Sequence, residues 1–279
     1  MPKSSATREH FEHTAIFWRD VYRSTSVEGA VYADRLRRVL AMVDSLGLGP
    51  GAKALEIGCG AGWNAVALAG RGLCVQATDP VDKMVRMTRE LAAARRVEAS
   101  VGVTCCAGEA LPFAGESFDL AVGIAVMEWA DSPQSMLSEL HRVLRPGGQL
   151  ILSATNRWSL QRMLDPWFNP LWAPLKKWIG RLLRSGNEAC ARTHSFREMD
   201  GLLRLVGLEK VGSCSTGFGP FTFFKCKLFP GSSGAWLHER LERLAGGRGG
   251  YACLVQARKP VAQPEIENRK DGYRDTCAA

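Results

Sequence analysis

Glu56, Gly58, Gly60 and Gly62 recur at every second position, and Asp79 closes the next apolar run. The glycines follow the apolar stretch Ala54–Ile57 and precede a helical pattern over Asn64–Ala69, so they form a strand-to-helix loop. Glycine suits a backbone that turns tightly and admits a ligand with no Cβ in the way. Such a loop is expected to aim free N–H groups and the positive helix end at a polar or anionic ligand. A dinucleotide fingerprint requires a third glycine where Trp63 stands, and no Gly-Lys-Ser/Thr of a phosphate loop follows. Asp79, at the end of the next predicted strand, suits a ribose diol, because an ionised carboxylate accepts from both hydroxyls. The plainer alternative is a tight turn followed by an ordinary strand-end aspartate.

Four motifs stand in order between residues 50 and 156: the Glu56–Gly62 loop, Asp79–Met84, Glu109–Phe113 leading into Ser117–Leu120, and Leu144–Leu150. Their order and spacing resemble the class I S-adenosylmethionine-dependent methyltransferases. The likeness is to the ubiquinone/menaquinone group with its type 11 methyltransferase domain. The resemblance implies S-adenosyl-L-methionine as cofactor. The loop Gly58, Gly60, Gly62 would hold its amino-acid part and Glu56 would orient that loop. Asp79 would take the ribose, and Met84 would pack on the adenine.

Two departures from the family pattern bear on function. Where the family commonly has an aspartate for the adenine amino group, this chain reads Cys106-Ala107-Gly108-Glu109. Backbone at Gly108 or the Glu109 side chain is the expected substitute. Where many quinone-type members have a histidine near the acceptor, the chain reads Val126-Met127-Glu128-Trp129. An indole accepts no proton at neutral pH. Trp129 therefore fits an acceptor that is already anionic, a carbon nucleophile, or a base from elsewhere. It also resembles members acting on a carboxylate of tRNA wobble nucleosides. Trp129 and His194, the one histidine of the acceptor-side insertion, are the candidate catalytic residues. The bland alternatives are a tryptophan packed under a lid and a structural histidine beside a helix start.

The elements that must position these residues are legible from periodicity. Residues 8–46 read as two helices, with Trp18, Tyr22, Tyr32 and Arg35 as candidates for lining an acceptor site or for stapling the helices to a sheet. Strands are expected at 53–57, 73–78, 101–105, 118–123 and 148–154, with helices at 63–70, 82–95 and 133–144 between them. That alternation predicts a doubly wound α/β fold. The expected sheet is mostly parallel, seven-stranded and Rossmann-like, with an N-terminal helical cap and a lid insertion after the fifth strand. Ligands of such a sheet sit beyond the strand carboxyl ends. Ser195 and Glu198 form a capping box for a helix ending near Leu205, before strand 208–214. A short helix at 235–245 and a last strand at 251–258 complete the pattern.

The expected divisions are an N-terminal cap over 1–50, a cofactor-binding core over 51–156, and an aromatic and basic lid insertion over 157–200. The rest of the sheet lies in 201–260 and a disordered tail in 261–279. Within 171–184, Leu171, Trp172, Leu175, Trp178, Ile179, Leu182 and Leu183 fill one helical arc, and Lys176, Lys177, Arg181 and Arg184 fill the other. That face suits either a lid over an apolar acceptor or contact with anionic membrane. The aromatic stretch 217–224 would line an apolar pocket mouth, touch a bilayer or form a buried loop.

The 279 residues, 46% of them apolar, suit one α/β domain with insertions. No run approaches the roughly 18 apolar residues of a membrane span, and the amino terminus lacks a secretory segment. The nine cysteines contain no C-x-x-C pair, which predicts reduced thiols, a cytoplasmic protein and no metal site. The formal net charge of +8 is spread along the chain. It admits nucleic acid or anionic lipid as partner, but a nucleic-acid groove would want exposed Lys and Arg where this chain is apolar. The sequence thus points to a methyltransferase acting on a lipophilic or aromatic small molecule, working in the cytoplasm or peripherally at a membrane. The alternatives are a tRNA-nucleoside carboxylate methyltransferase and a cofactor-binding protein without catalysis.

Overall fold

In the sheet, strand faces alternate between two cores, as period-2 side chains must. The computed structural model describes residues 3–166, 168–169, 171, 192–223, 226–229 and 231–261. Strands β1 (Lys53–Ile57), β2 (Cys74–Asp79), β3 (Val101–Cys105), β4 (Phe118–Ile124), β5 (Leu144–Thr155), β6 (Glu209–Thr216) and β7 (Ala252–Arg258) form one sheet in the order 3-2-1-4-5-7-6. The first five strands are parallel, and β7 lies antiparallel between β5 and β6. This is the doubly wound, mostly parallel, seven-stranded fold expected.

One face packs Leu55, Ile57, Ala121, Leu150 and Leu152 against helices α5 (Pro133–Val143) and α7 (Phe196–Leu205). The other packs Ala54, Leu120, Val122 and Ile151 against α2 (Val27–Ser45), α3 (Trp63–Ala69) and α4 (Asp82–Ala94). Each fully buried leucine on these faces stabilises the fold by about 1.5–3 kcal/mol. Helix α1 (Lys3–Asp20) lies over α4 through a smaller cluster of Ala15, Val81 and Met84 with Phe11 and Trp18. Helix α6 (Leu160–Leu164) follows β5, and α8 (Ser232–Ala245) packs beside α2, with a short ribbon of Thr222–Phe223 and Cys226–Lys227 before it.

Most boundaries fall within two residues of expectation, and three do not. Helix α1 begins at Lys3, five residues before the expected start, α8 begins at Ser232 rather than 235, and β5 begins at Leu144 rather than 148. Leu144 already pairs with Phe118, and the register then jumps to Leu120 opposite Gln149. The Arg145–Gly148 turn is thus an irregularity inside the strand pairing, which a Pro-Gly-Gly sequence reads as a loop. The Ser195–Glu198 capping box is present as expected, its side chains bonded reciprocally to backbone N–H groups.

Of the segment expected as a lid or membrane helix, 172–191 lies outside the described residues, as does the tail from 262. In the 217–224 stretch Phe218 is buried and its N–H donates to His238 Nδ1 at 3.0 Å, so this part is interior loop, not a pocket mouth. Among the described residues no helix is long and apolar enough to cross a membrane. His238 also belongs to a buried group with Asp34 and Glu242. Its carboxylates already accept from Arg38, Thr216 and the Gly217 N–H, so the group is an ion-pair network fastening α2 to α8 and β6.

Candidate active site

The carboxyl ends of β1, β2 and β4 open on one cavity, whose outer wall comes from α1 and α2. Gly58, Gly60, Asp79, Met84, Gly108 and Glu109 line it from the sheet side. Trp129 lines it after β4, and Phe11, Trp18, Tyr22 and Arg35 line it from the helical side. Seven of the ten site residues expected from sequence are thus brought together. Glu56, Gly62 and His194 are not among the lining residues.

Asp79 is the hinge of the arrangement. It is 6% exposed, and its two oxygens accept from the N–H groups of Gly60 (3.0 Å) and Val81 (2.9 Å). Burial pushes its pKa up to about 6, against the pull of those two bonds. The Cys59 N–H donates to Thr78 O and the Gly62 N–H to Cys59 O, both at 2.9 Å. The Cys59, Gly60 and Gly62 N–H groups are therefore not among the free donors expected of the loop. These N–H groups hold the loop rigid instead. What the loop gives a ligand is its bare backbone: at Gly60, with φ +54°, no atom lies within 4 Å of where a Cβ would project.

Gly62 does a different job from the one expected. Its φ is +87°, and an added Cβ would come within 2.9 Å of the Thr88 backbone. It lets the loop close on α4 and is not among the residues that line the cavity. Glu56 is likewise behind the loop, 1% exposed. Its carboxyl receives the Asn64 side chain and the Ala65 N–H, fixing the start of α3, and burial raises its pKa to about 8. A carboxyl with a folded pKa above its unfolded value of 4.5 holds its proton more tightly in the fold. The stability it contributes is complete below 4.5 and is lost as pH rises through 8. The unliganded protein is therefore expected to lose up to about 4–5 kcal/mol of stability from this group between about pH 4.5 and 8. Glu56→Gln should flatten that slope in chemical denaturation at pH 5.5, 7 and 8.5. An unchanged slope would place the dependence on another group.

Met84 is 1% exposed on the cavity wall, placed to pack on a planar ring. An ideal Cβ at Gly108 would lie 3.1 Å from Met136 Cγ, so the cavity wall is close-packed there. The Glu109 carboxylate accepts from the Asp131 N–H at 2.8 Å, which ties the 107–109 turn to the loop before α5. Ala125, at the end of β4, has φ +57°, a strained backbone for a non-glycine residue, and its N–H donates to Ser153 Oγ.

Trp129 faces the cavity from under α1. His10 stacks on it at 5.3 Å and Phe11 meets it edge-on at 5.0 Å. It therefore lines the cavity and is at the same time packed against α1, a cover other than the expected lid. Trp63, the residue that broke the dinucleotide pattern, stacks on Tyr22 at 5.5 Å and donates its Nε1–H to Arg19 O at 3.1 Å. It pins the helical wall to the glycine loop. Tyr32 stands behind this wall, against Trp18 and Tyr22, and does not line the cavity.

His194 is 8% exposed. It pairs as a bridge with Asn156, its N–H donates to Thr155 O at 2.9 Å, and its ring bonds the Met127 backbone. Burial lowers its pKa. His194 thus lies off the cavity that Asp79 and Trp129 line. The sequence shows a histidine before a helix cap but not the Asn156 bridge that draws it inside. Thr7, Arg8 and Phe11 also line the cavity and were not singled out from sequence. Their signal was available, since Thr7, Phe11 and Trp18 share one helical face.

A methyltransferase-domain family model matches residues 55–152. A malonyl-[acyl-carrier protein] O-methyltransferase of Erwinia pyrifoliae is 34% identical over 116 residues, 41% of this chain and 42% of that protein. A ubiquinone biosynthesis O-methyltransferase of Cereibacter sphaeroides is 26% identical over 173 residues, 62% of this chain and 66% of that protein. The chain thus spans less than two thirds of the length of either relative. Among solved structures, magnesium protoporphyrin IX methyltransferase from Synechocystis, with SAH bound, shares the fold. Its TM-score is 0.63, at 18% identity, over 92% of this chain and 99% of that one. The matched segment, whose strand ends build the glycine loop, Asp79 and the 107–109 turn, is similar to the methyltransferase-domain family, and the fold around it is class I, Rossmann-like.

Proposed function

We propose that this protein is an S-adenosylmethionine-dependent methyltransferase acting on a lipophilic or aromatic small molecule. The observation that carries it is the juxtaposition in one cavity of a buried strand-end carboxylate, Asp79, with an aromatic outer wall. The residues fit the cofactor: Gly60 leaves open space that any Cβ would fill, and Asp79 has lone pairs left for a diol. Glu109 and Met84 border the place for an adenine. When bound, S-adenosylmethionine supplies an electrophilic methyl group for in-line displacement.

The chain's own contribution is position and dryness. Asp79, held by two backbone donors, fixes the ribose, and the rigid loop fixes the direction of the sulfonium arm. Phe11, Trp18 and Trp129 exclude water and offer faces on which a planar acceptor stacks. The direct test is transfer of labelled methyl from S-adenosylmethionine to organic-extractable material. Label entering bulk tRNA instead would favour a nucleic-acid acceptor. Cofactor binding with no transfer to either pool would favour a protein that binds without catalysis.

A second reading places the reaction at an anionic lipid surface. Trp158, Leu160, Leu164 and Leu171 are 44–66% exposed where the chain enters the segment with the basic-apolar pattern. Exposed apolar side chains next to cationic ones are what an interfacial segment needs. The protein is expected to sediment with anionic liposomes, and Lys176/Lys177/Arg181→Glu to lose at least nine tenths of that binding. Unchanged sedimentation in the variant would rule out contact through this segment.

A further inference from the structure

One buried cation stands in the aromatic wall. Arg35, on α2, is 6% exposed and lines the cavity. Its guanidinium lies 4.8 Å above the Tyr32 ring and bonds the Tyr22 hydroxyl. Neighbouring ion pairs bypass it: Asp34 on the same helix pairs with Arg37 and Arg38. Among the described residues no carboxylate lies within 4.0 Å of it, and its buried Nε has no hydrogen-bond partner. Glu128 is close enough to act on it electrostatically, but one Glu128 oxygen is held by the Thr155 N–H and hydroxyl, and Glu128 does not line the cavity.

A buried charge without a carboxylate in ion-pair contact is costly, and an arginine fork matches a carboxylate or ionised oxygen in particular. We propose that Arg35 anchors an anionic oxygen of the acceptor, so that the acceptor is a planar aromatic or conjugated molecule bearing a carboxylate or an ionised hydroxyl. This rests on the methyltransferase reading and names its substrate class. The anion sits against Arg35 while the planar body lies among Phe11, Trp18 and Trp129. Among the described residues no histidine lines the cavity, and an oxygen that arrives ionised needs no base. In the transfer its lone pair forms the new bond to the methyl carbon as the carbon–sulfur bond breaks. The sulfonium leaves as a neutral thioether, and no proton moves.

The experiment is calorimetric titration of 2-naphthoate and its neutral counterpart 2-naphthamide, with and without S-adenosylhomocysteine. The proteins are the wild type, Arg35→Met and Arg35→Lys. The wild type is expected to bind naphthoate at least tenfold more tightly than naphthamide. That ratio should fall to near one in Arg35→Met and survive in part in Arg35→Lys. Affinity for S-adenosylhomocysteine should stay within threefold in all three. A wild-type ratio near one, as a pairing of Arg35 with Glu128 would give, overturns the proposal. So does an absence of naphthoate binding, or a ratio unchanged in Arg35→Met. If Arg35→Met does not fold, the wild-type ratio and Arg35→Lys decide. Failure of S-adenosylhomocysteine to bind the wild type would sink the methyltransferase reading separately, leaving the anion preference to be read without it.

Discussion

Asp79→Ala is expected to weaken binding of S-adenosylmethionine and S-adenosylhomocysteine by about 100-fold or more, measured by calorimetry. The side chain acts on the site in two ways that a methyl group cannot replace. It takes the Gly60 and Val81 N–H groups, and so fixes the glycine loop to the end of β2. It also presents its remaining lone pairs to the cavity. Each charged hydrogen bond contributes about 1.5–3 kcal/mol, so losing the ribose contacts and loosening the loop together exceeds the roughly 2.7 kcal/mol of a 100-fold change. Asp79→Asn separates the two roles, since an amide keeps one accepting oxygen and adds a donor. It is expected to bind at an intermediate level, about tenfold weaker than the wild type. Wild-type affinity in Asp79→Ala would mean that Asp79 neither holds the ribose nor fixes the loop for binding.

The second large effect separates two glycines that look alike in the sequence. Gly62→Val places a β-branched residue at φ +87° with its Cβ 2.9 Å from the Thr88 backbone. Left-handed strain and the clash should together destabilise the protein by about 3–5 kcal/mol. Thermal unfolding should then drop by roughly 10 °C or more. Gly60→Ala has the same handedness problem, φ +54°, but meets nothing within 4 Å. Its expected stability cost is only about 1 kcal/mol, while its new methyl group occupies the cavity and weakens the cofactor at least tenfold. If Gly62→Val melts like the wild type, the loop is not seated on α4 as described.

That contrast shows where sequence stops being informative. Alternation of Leu55, Ile57, Leu150 and Leu152 with Ala54 and Ile151 encodes both faces of the sheet in a period of two, so the architecture could be read directly. The Glu56-x-Gly-x-Gly-x-Gly spacing likewise placed a ligand loop at the correct edge. It could not say which glycine faces the ligand, because Thr88 stands 26 residues beyond Gly62 and only the fold brings it near. Glu56 is expected to orient the loop, and its partners Asn64 and Ala65, where the loop runs into α3, are fixed only by the fold. His194 looked available because a position before a capping box is ordinarily outside. A pairing with Asn156, set by the sheet, buries it. Local pattern determined elements, and contacts distant in sequence determined which side of each element does chemistry.

The position of β7 has a consequence for how the chain assembles. The five parallel strands are complete once residue 155 has been made, and the cofactor-side edge of the cavity belongs to them. Strand β6 touches that sheet only through β7, which is made last among the described elements. During vectorial synthesis, therefore, about 100 residues between β5 and β7 wait with an unpaired strand edge. The older half carries the glycine loop, while β6 can join the sheet only by the long-range pairing with β7. Interruption of the chain before Arg258 would leave a preformed ligand loop on a sheet with an open and adhesive side.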